Sequence, residues 1–290
     1  MKKATIAMKR TWSIGERIFK EDFRRMKMFE ALIESVVLYG AEIWGWLYES
    51  RLDVIKRKYV KWILGLDRRT PNYIVSEEAK IKEIKMRAIR RAVRYEEKTR
   101  QSEKKIVQAC IKDLERSRPR KEESNWEKKR RELIKRTKME KEQLRREMEA
   151  GNREAAESLV KRLEEKEKKE RQIKINESRY NSNYKEILTE KLPKYLLGKK
   201  KKKDRMLIAR YRCGSEVKGS KHWREEEDRR CRICQKEENI EHILRKCEAT
   251  KSEIQLKEFL GEEGKGLEVM KWIGKIRKEA EKMEGMEGEE

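Results

Sequence analysis

Three cysteines and one histidine lie close together near the C-terminal end of the sequence. They are Cys231, Cys234, His242 and Cys247, in the spacing C-x2-C-x7-H-x4-C. Two cysteines separated by two residues can place both thiolates on one metal ion, and three thiolates with one imidazole make a closed tetrahedral shell. Ligands this soft select zinc over magnesium or calcium. The spacing therefore predicts one structural zinc ion, with no coordination position left for a water molecule.

A short helix is expected to carry the histidine of this group. Residues 239–244 (NIEHIL) have the pattern of a helix start, with Asn239 as the N-cap. His242 and Cys247 are five positions apart, which on a helix separates them around the axis. Cys247 should therefore lie just past the helix end. The apolar residues of the segment should form a miniature core, made of Ile240, Ile243 and Leu244.

The chain has five cysteines and two histidines, so not all of them belong to this group. An odd number of cysteines, three of them beside a histidine, favours an intracellular metal site over a disulfide framework. The alternative is a set of unliganded side chains in a charged segment. Cys110 lies on an apolar helical face and is predicted to be a core residue. Cys213 and His222 do not repeat the knuckle spacing and are placed outside the metal shell.

Basic residues surround the cysteine group. Residues 193–247 contain 18 Lys and Arg against 9 Asp and Glu, with Tyr195, Tyr211 and Trp223 among them. Basic side chains with exposed rings suit single-stranded nucleic acid, since they neutralise phosphates and stack on bases. Tyr211 is the candidate stacking platform, although Tyr211 and Trp223 can also be packing residues that brace the zinc module. The predicted nucleic-acid contacts besides Tyr211 are Lys199, Lys200, Lys201, Lys202, Lys203, Arg210, Arg212, Arg230 and Arg232.

The whole chain is strongly basic. Its 290 residues carry a formal net charge of +24, and the isoelectric point is about 9.7. Lys and Arg gain affinity for nucleic acids by releasing counterions from phosphates, so RNA or DNA, or both, are the expected partners. The alternative is a solvated Lys/Glu-rich surface with an excess of lysine. No small-molecule substrate is expected.

The location of the protein is predicted from the same residues. The N-terminus lacks the apolar core and cleavage site of a secretory signal. The most apolar stretch, residues 31–47, is interrupted by Glu34 and Glu42 and does not have the pattern of a membrane span. The five consecutive lysines, Lys199 to Lys203, admit three interpretations: a solvated loop, a nuclear-import signal or a phosphate-contacting patch. We expect an intracellular and nuclear protein that does not enter a membrane.

The composition predicts a mainly α-helical fold. Charged residues make up 46% and hydrophobic residues 36% of the chain, and prolines are few, which favours solvated helix over large cores. Residues 1–114 should form a small N-terminal helical bundle. Residues 115–176 should form a charged linker, either a long solvated helix or a helical hairpin, with a coiled coil as the minority interpretation. Residues 177–260 should form the basic zinc-knuckle region, and residues 261–290 a short helix and an acidic tail.

Three helices are predicted within the N-terminal region. Apolar residues at helical spacing over residues 23–37, including Phe23, predict the first helix, and Gly40 should stop it. Residues 52–63 predict the second helix, which should break at Gly65. Residues 81–93 predict the third.

Several segments together resemble one protein family. Residues 12–17 (WSIGER), 35–46 (SVVLYGAEIWGW), 210–214 (RYRCG) and 222–227 (HWREEE), followed by the cysteine group, resemble the C-terminal region of insect non-LTR retrotransposon reverse transcriptases of the LINE or jockey-like kind. The resemblance covers nearly the whole chain to Cys247. It implies a helical, thumb-like N-terminal region that binds a template–primer duplex, and a zinc knuckle that binds element RNA or target DNA.

The chain also departs from this family. Polymerases of the family hold two Mg²⁺ ions on a pair of aspartates, and no Asp-Asp dipeptide occurs in this sequence. The resemblance therefore implies a truncated, catalytically inactive copy that still binds nucleic acid. Two other interpretations remain open. One is a charged helical scaffold whose zinc module binds another protein, and the other is an enzyme with polymerase or metal-dependent nuclease activity.

Overall fold

The computed structural model describes residues 2–18, 25–48, 51–115, 124–150, 154–179, 181–197, 200–231 and 233–287. Helices dominate these residues, as predicted, and β-type pairing within them is limited to one isolated bridge between Arg230 and Glu237. The α-helices are α1 (Lys2–Ile18), α2 (Arg25–Met28), α3 (Ser35–Val37), α4 (Ala41–Trp44), α5 (Arg51–Leu64), α6 (Asn72–Glu78), α7 (Ile84–Arg100), α8 (Lys105–Glu115), α9 (Asn125–Arg136), α10 (Lys141–Ala150), α11 (Glu154–Asn176), α12 (Lys194–Leu197), α13 (Lys202–Arg212), α14 (Leu256–Phe259) and α15 (Leu267–Glu287). Short π-helical turns span Phe29–Glu34 and His242–Lys246, and 3₁₀ turns span Gly45–Leu47, Ser182–Ile187, Lys218–Ser220 and Glu227–Arg229.

The chain divides into two compact units, each assembled from separate stretches of sequence. The first unit comprises Met1–Lys9, Phe29–Lys56 and Lys82–Glu170, and the second comprises Arg10–Met28, Arg57–Ile81 and Arg171–Glu290. This division differs from the predicted ranges 1–114, 115–176, 177–260 and 261–290. Within the described residues, every helix is too short or too polar to cross a lipid bilayer.

The three helices predicted near the N-terminus are present. Gly40 follows α3 with a φ of 67°, and Gly65 follows α5 with a φ of 61°. Glycine adopts this left-handed conformation without steric cost, which explains why both helices stop where the sequence predicts. The predicted third helix corresponds to α7, whose apolar face is buried. Phe23 lies outside the described residues.

The first unit packs around α7. Gly45 lies so close to this helix that a Cβ at that position would collide with the carbonyl oxygen of Ala88 and the side chain of Ala92. The missing side chain of Gly45 thus lets the turn Gly45–Leu47 approach the helix backbone. Trp46, in the same turn, is fully buried and has the guanidinium of Arg130 at 5.2 Å from its ring centroid.

The charged segment predicted as a solvated linker is packed instead. Residues from α9, α10 and α11 join α7 in one hydrophobic core, whose members include Leu133, Leu144, Met148, Ala155, Ala156, Leu159, Val160 and Leu163. The apolar positions are sparse in each helix taken alone. Three helices and the turns between them combine their narrow apolar faces, and α7 supplies the opposite side of the core. The expectation that this segment is solvated was therefore wrong, whereas the long charged helix itself is present as α11.

The prediction that Cys110 is a core residue was also wrong. This cysteine lies in α8 as predicted from its apolar helical face, but it is exposed, and Ile106 on the same helix is exposed too. Helical spacing shows that a face is apolar, but it does not show whether another element covers that face. Among the described residues, no element buries Cys110 or Ile106.

A buried carboxylate joins four elements of the second unit. Glu78, at the end of α6, accepts hydrogen bonds from the hydroxyls of Tyr184 (2.8 Å) and Tyr195 (2.6 Å) and from the guanidinium of Arg212 (2.6 and 3.1 Å). Arg212 also donates to the carbonyl oxygen of Ile187 at 3.2 Å. This network fixes α6, the turn Ser182–Ile187, α12 and α13 to one another, and α13 ends at Arg212, upstream of the cysteine-rich segment, residues 231–247.

Candidate metal centre and its basic surroundings

The first two cysteines lie on a tight backbone turn. The bridge between Arg230 and Glu237 closes this turn, and the backbone N–H of Cys231 donates to the carbonyl oxygen of Lys236 at 2.7 Å. Gln235 donates in turn to the carbonyl oxygen of Cys231 at 2.8 Å and has a φ of 56°. The turn brings Cys231 and Cys234 to the same side, as the C-x2-C spacing predicts.

The predicted short helix and the residue after it supply the other two candidate ligands. The backbone N–H of His242 donates to the Asn239 side chain at 2.7 Å, which confirms Asn239 as the capping residue. The helical turn continues to Lys246, and Cys247 lies directly after it, as predicted. The Cys247 N–H donates to the carbonyl oxygen of His242 at 2.8 Å, which holds the two ligands together. The predicted miniature core of Ile240, Ile243 and Leu244 is buried.

The four side chains converge. One ligand atom from each of Cys231, Cys234, His242 and Cys247 lies within 4.8 Å of every other. The two sulfurs of Cys231 and Cys247 are 4.0 Å apart, and the Cys234 Sγ is 3.3 Å from the His242 Nε2. Cys234 is half-buried and the other three are buried. A cluster with these donor atoms can hold one metal ion. Cys213 and His222 lie outside it, as predicted.

The surroundings affect the protonation of three of these groups. Burial raises the pKa of the Cys231 thiol to about 11. Burial would also raise the pKa of Cys247, but hydrogen bonds from Thr250 and from the Ala249 backbone outweigh it and lower that pKa. Burial lowers the pKa of His242, which favours the neutral imidazole that metal ions require.

An ion pair with a buried carboxylate attaches the turn that carries Cys231 and Cys234 to α15. Glu238, in the cysteine turn, is buried and lies 3.0 Å from the guanidinium of Arg277 in α15. It also accepts a hydrogen bond from the Lys218 backbone N–H at 2.8 Å, while its carbonyl oxygen accepts one from Gly219 at 2.8 Å. A Cβ on Gly219 would collide with that carbonyl oxygen. The anchoring residues Gly219, Glu238 and Arg277 could not be predicted from the sequence, because no local pattern connects Glu238 with either of the other two.

Two predicted nucleic-acid contacts are buried and have another role. Arg212 is bound to Glu78 in the interior, so it is not a phosphate contact in this structure. The Tyr211 ring is 1% exposed and packs edge-on against Phe259 at 5.2 Å. Of the two interpretations of Tyr211, the structure therefore supports packing and contradicts the stacking platform. The sequence could not decide this, because a Tyr between two arginines suits either role.

The remaining basic candidates lie at or near the surface. Lys201 is the N-cap residue of α13, Lys201 and Lys203 are exposed, and Lys200 and Lys202 are half-buried. Arg230 is exposed. Arg210 is partly exposed, and its guanidinium lies 3.2 Å from the Glu216 carboxylate. Lys199 and Arg232 lie outside the described residues.

Trp223 is half-buried beside the cysteine-rich segment. Its ring contacts the ring of His222 (5.2 Å between centroids, 81° between planes) and the guanidinium of Arg69, 5.6 Å from its centroid. The expectation that Trp223 packs is therefore met in part, since the residue is half-buried.

Comparison of this chain with protein-family models, with curated proteins and with solved structures gives no match.

Proposed function

We propose that this protein is a nucleic-acid-binding module whose cysteine-rich part is held together by one structural zinc ion. The observation that carries the proposal is the convergence of four candidate ligand side chains in a stretch, residues 193–247, where Lys and Arg outnumber Asp and Glu by 18 to 9. A module of this size has a small apolar core, so a metal ion would supply much of its folding free energy.

Zinc is the metal that fits these donors best. Bond lengths of about 2.3 Å to sulfur and 2.0–2.1 Å to nitrogen in a tetrahedron imply ligand separations of roughly 3.5–3.8 Å. The distances of 4.0 Å between two sulfurs and 3.3 Å between sulfur and imidazole nitrogen are close to these values. Four protein ligands fill the tetrahedron, so the ion would support the fold and would not activate water.

Nucleic acid is the partner that the charge favours. Lys201 and Lys203 lie exposed at the start of α13, and Arg230 lies exposed next to the first zinc ligand. The net charge of +24 would add long-range attraction for a polyanion. Each phosphate that such a residue neutralises should release condensed counterions, which makes affinity depend steeply on salt.

The sequence resemblance suggests an origin for this function. We propose that the chain derives from the C-terminal region of a non-LTR retrotransposon reverse transcriptase and acts in the nucleus, with the lysine run 199–203 as import signal. We expect no nucleotidyl transfer, since the chain has no Asp-Asp dipeptide. Nucleotide incorporation on a primed template with Mg²⁺ would contradict this.

The binding proposal is tested by charge reversal on the full chain. Affinity for labelled single-stranded RNA, single-stranded DNA and duplex DNA is measured across a salt series. The triple variant Lys201→Glu, Lys203→Glu, Arg230→Glu should bind single strands more weakly and flatten the log–log salt dependence by about 0.7 per lost phosphate contact. A matched control, Lys161→Glu, Lys168→Glu, Lys169→Glu, changes the net charge equally at exposed positions of α11.

The two variants separate a local site from a general charge effect. The proposal predicts a much larger loss of affinity in the first variant than in the control. Equal losses of affinity in the two variants would mean that binding depends only on the net charge of the protein. A zinc-loaded, folded protein that binds no nucleic acid at low salt would overturn the proposal.

A protein-binding scaffold is the second candidate, and one observation favours it. The first unit exposes apolar side chains at helical spacing: Leu32, Val36, Tyr39 and Ile43. Exposed apolar rows of this kind mark protein interfaces. Replacing Tyr39 and Ile43 with lysine should abolish protein association, measured by light scattering, and should leave the nucleic-acid salt dependence unchanged.

A further inference from the structure

The second unit contains a cavity of about 380 Å³ that the metal site does not use. Its lining comes from three stretches: residues 70–73 before and in α6, residues 174–179 and 181 at and after the end of α11, and residues 213–223 upstream of the clustered cysteines. Ser220 lines it, and its neighbour Gly219 is hydrogen-bonded to Glu238 of the cysteine turn. The cavity is therefore adjacent to the proposed zinc module. Its volume lies in the range of about 300–1,000 Å³ typical of small-molecule sites.

The walls of this cavity are held by hydrogen bonds. The hydroxyls of Thr70 and Ser215 lie 2.8 Å apart, and the Tyr73 hydroxyl donates to the Ser178 Oγ at 2.9 Å. Gly214 has a φ of 73°, and a Cβ there would collide with the Asn181 side-chain oxygen. These contacts give the cavity its shape without a ligand, so binding would not require it to be ordered first.

Two aromatic rings line the cavity and can stack on a planar ligand. Tyr73 is held by its hydroxyl, and Trp223 is braced by Arg69 and by the ring of His222. Rings held in place in this way are what single-strand-binding proteins use, because every nucleobase has a flat face.

Polar groups at the same cavity suit the rest of a nucleotide. Asn181 is only 8% exposed, and its side-chain amide makes no hydrogen bond within the described residues. That amide offers donors and an acceptor, as the edge of a base requires. Lys174 and Arg179 line the cavity and are exposed, against one carboxylate from Glu177. Two cations beside a stacking surface suit a phosphate next to a bound base.

We infer that this cavity binds one unpaired nucleotide, with its base against Trp223 and Tyr73, its base edge at Asn181 and its phosphate at Lys174 and Arg179. The inference rests on the proposed function and gives it a specific site, in which a single strand is held by one base as well as by its phosphates. A free mononucleotide offers the same base and phosphate as a nucleotide within a strand. The test must therefore distinguish binding of a strand from binding of a free nucleotide.

The test uses the full zinc-loaded chain and two labelled strands of equal length, an oligothymidylate and an abasic deoxyribose-phosphate strand. Trp223→Leu should weaken binding of the oligothymidylate about tenfold, in line with the loss of one stacked base. It should leave binding of the abasic strand unchanged. Trp272→Leu is the matched control, since Trp272 is a partly exposed tryptophan of α15 outside the cavity.

A second variant keeps the test decisive if Trp223→Leu loses zinc or unfolds. Asn181→Leu keeps the number and branching of the side-chain heavy atoms and removes the amide, so it should weaken oligothymidylate binding and spare the abasic strand. Thymidine monophosphate is added as a competitor. The inference requires that it displace the strand only at concentrations far above the dissociation constant of the strand.

The outcomes are distinct. Equal affinity for both strands, unchanged by either variant, would overturn the cavity inference while the proposed function stands. Displacement by the mononucleotide at concentrations similar to the strand dissociation constant would assign the cavity to free nucleotides and overturn its role in strand binding. No strand binding at all by the folded, zinc-loaded chain would overturn the proposed function itself.

Discussion

Arg212 shows how the role of a single residue can be assigned wrongly from sequence alone. It stands in a basic segment with tyrosine and arginine neighbours, which suggests a surface that binds phosphates. Its partner Glu78 is 134 positions away, and the pair is almost completely buried. A buried arginine needs a carboxylate with good geometry, because desolvating either charge alone is costly. Nothing in the local sequence identifies such a distant partner.

Glu78→Gln tests this buried network. The substitution keeps the shape but leaves the Arg212 charge without its counterion, so the free energy of unfolding should fall by about 3–5 kcal/mol. Chemical denaturation at neutral pH measures this change. Glu149→Gln is the matched control, because it breaks an exposed pair with Arg145 and should have little effect. Equal effects of the two substitutions would contradict the network.

The same pair predicts how stability depends on pH. Burial would raise the pKa of the Glu78 carboxyl. The charge and hydrogen bonds of Arg212, together with the hydrogen bonds from Tyr195 and Tyr184, outweigh burial and lower this pKa below its ordinary value. The folded protein therefore binds fewer protons than the unfolded chain between the two pKa values, and the stabilisation is lost as the pH falls through that window. Glu78→Gln should remove this part of the acid sensitivity.

The four candidate metal-binding residues, in contrast, could be recognised from the sequence alone. Cys231, Cys234, His242 and Cys247 lie within one short stretch, and their spacing reflects a turn, a helical turn and the residue after it. Local geometry dictates such spacing directly. The anchors Gly219, Glu238 and Arg277 were not readable, since they contact one another across different elements.

At the scale of the element, sequence analysis succeeded where a helix has a wide apolar face or a glycine stop. The helix α7 and the breaks at Gly40 and Gly65 were predicted for this reason. It failed for α9, α10 and α11, where each helix contributes only a few apolar residues to a shared core. The spacing of apolar residues in one helix does not show how many apolar residues the neighbouring helices add to the same core. Each helix, taken alone, therefore had the pattern of a solvated helix.

Leu159→Ala tests whether the charged segment is packed. Leu159 is fully buried in the core that α11 shares with α7, so truncating it should cost about 2–5 kcal/mol of the free energy of unfolding. Ile173→Ala, at a largely exposed position of the same helix, should cost much less. Thermal or denaturant unfolding of both variants measures the difference. A Leu159→Ala protein as stable as the Ile173→Ala protein would restore the solvated-helix interpretation.

At the scale of the whole molecule, the composition predicts helix and charge but not the grouping of the chain. Residues 57–81 belong to the same unit as the cysteine-rich region because α6 supplies Glu78 to it. Residues 124–170 join the first unit because they complete the core of α7. Both groupings depend on contacts between residues far apart in sequence. Composition also leaves the partner open, since a net charge of +24 attracts any polyanion.

The proposed zinc ion is expected to stabilise the whole cysteine-rich module. Structural zinc couples binding to folding, because the ligands of an unfolded chain are not preorganised. Removing zinc with a chelator should therefore disorder the cysteine-rich module. Since the thiols must lose their protons to bind, zinc should also be released as the pH is lowered.

The most direct test is the zinc content of the purified, folded protein, measured by elemental analysis beside Cys234→Ser and Cys110→Ser variants. The account predicts about one zinc per chain in the unaltered protein, loss of that zinc in Cys234→Ser, and full retention in Cys110→Ser, whose cysteine is exposed and outside the cluster. A folded protein without zinc, or one in which both variants keep the metal, would contradict it.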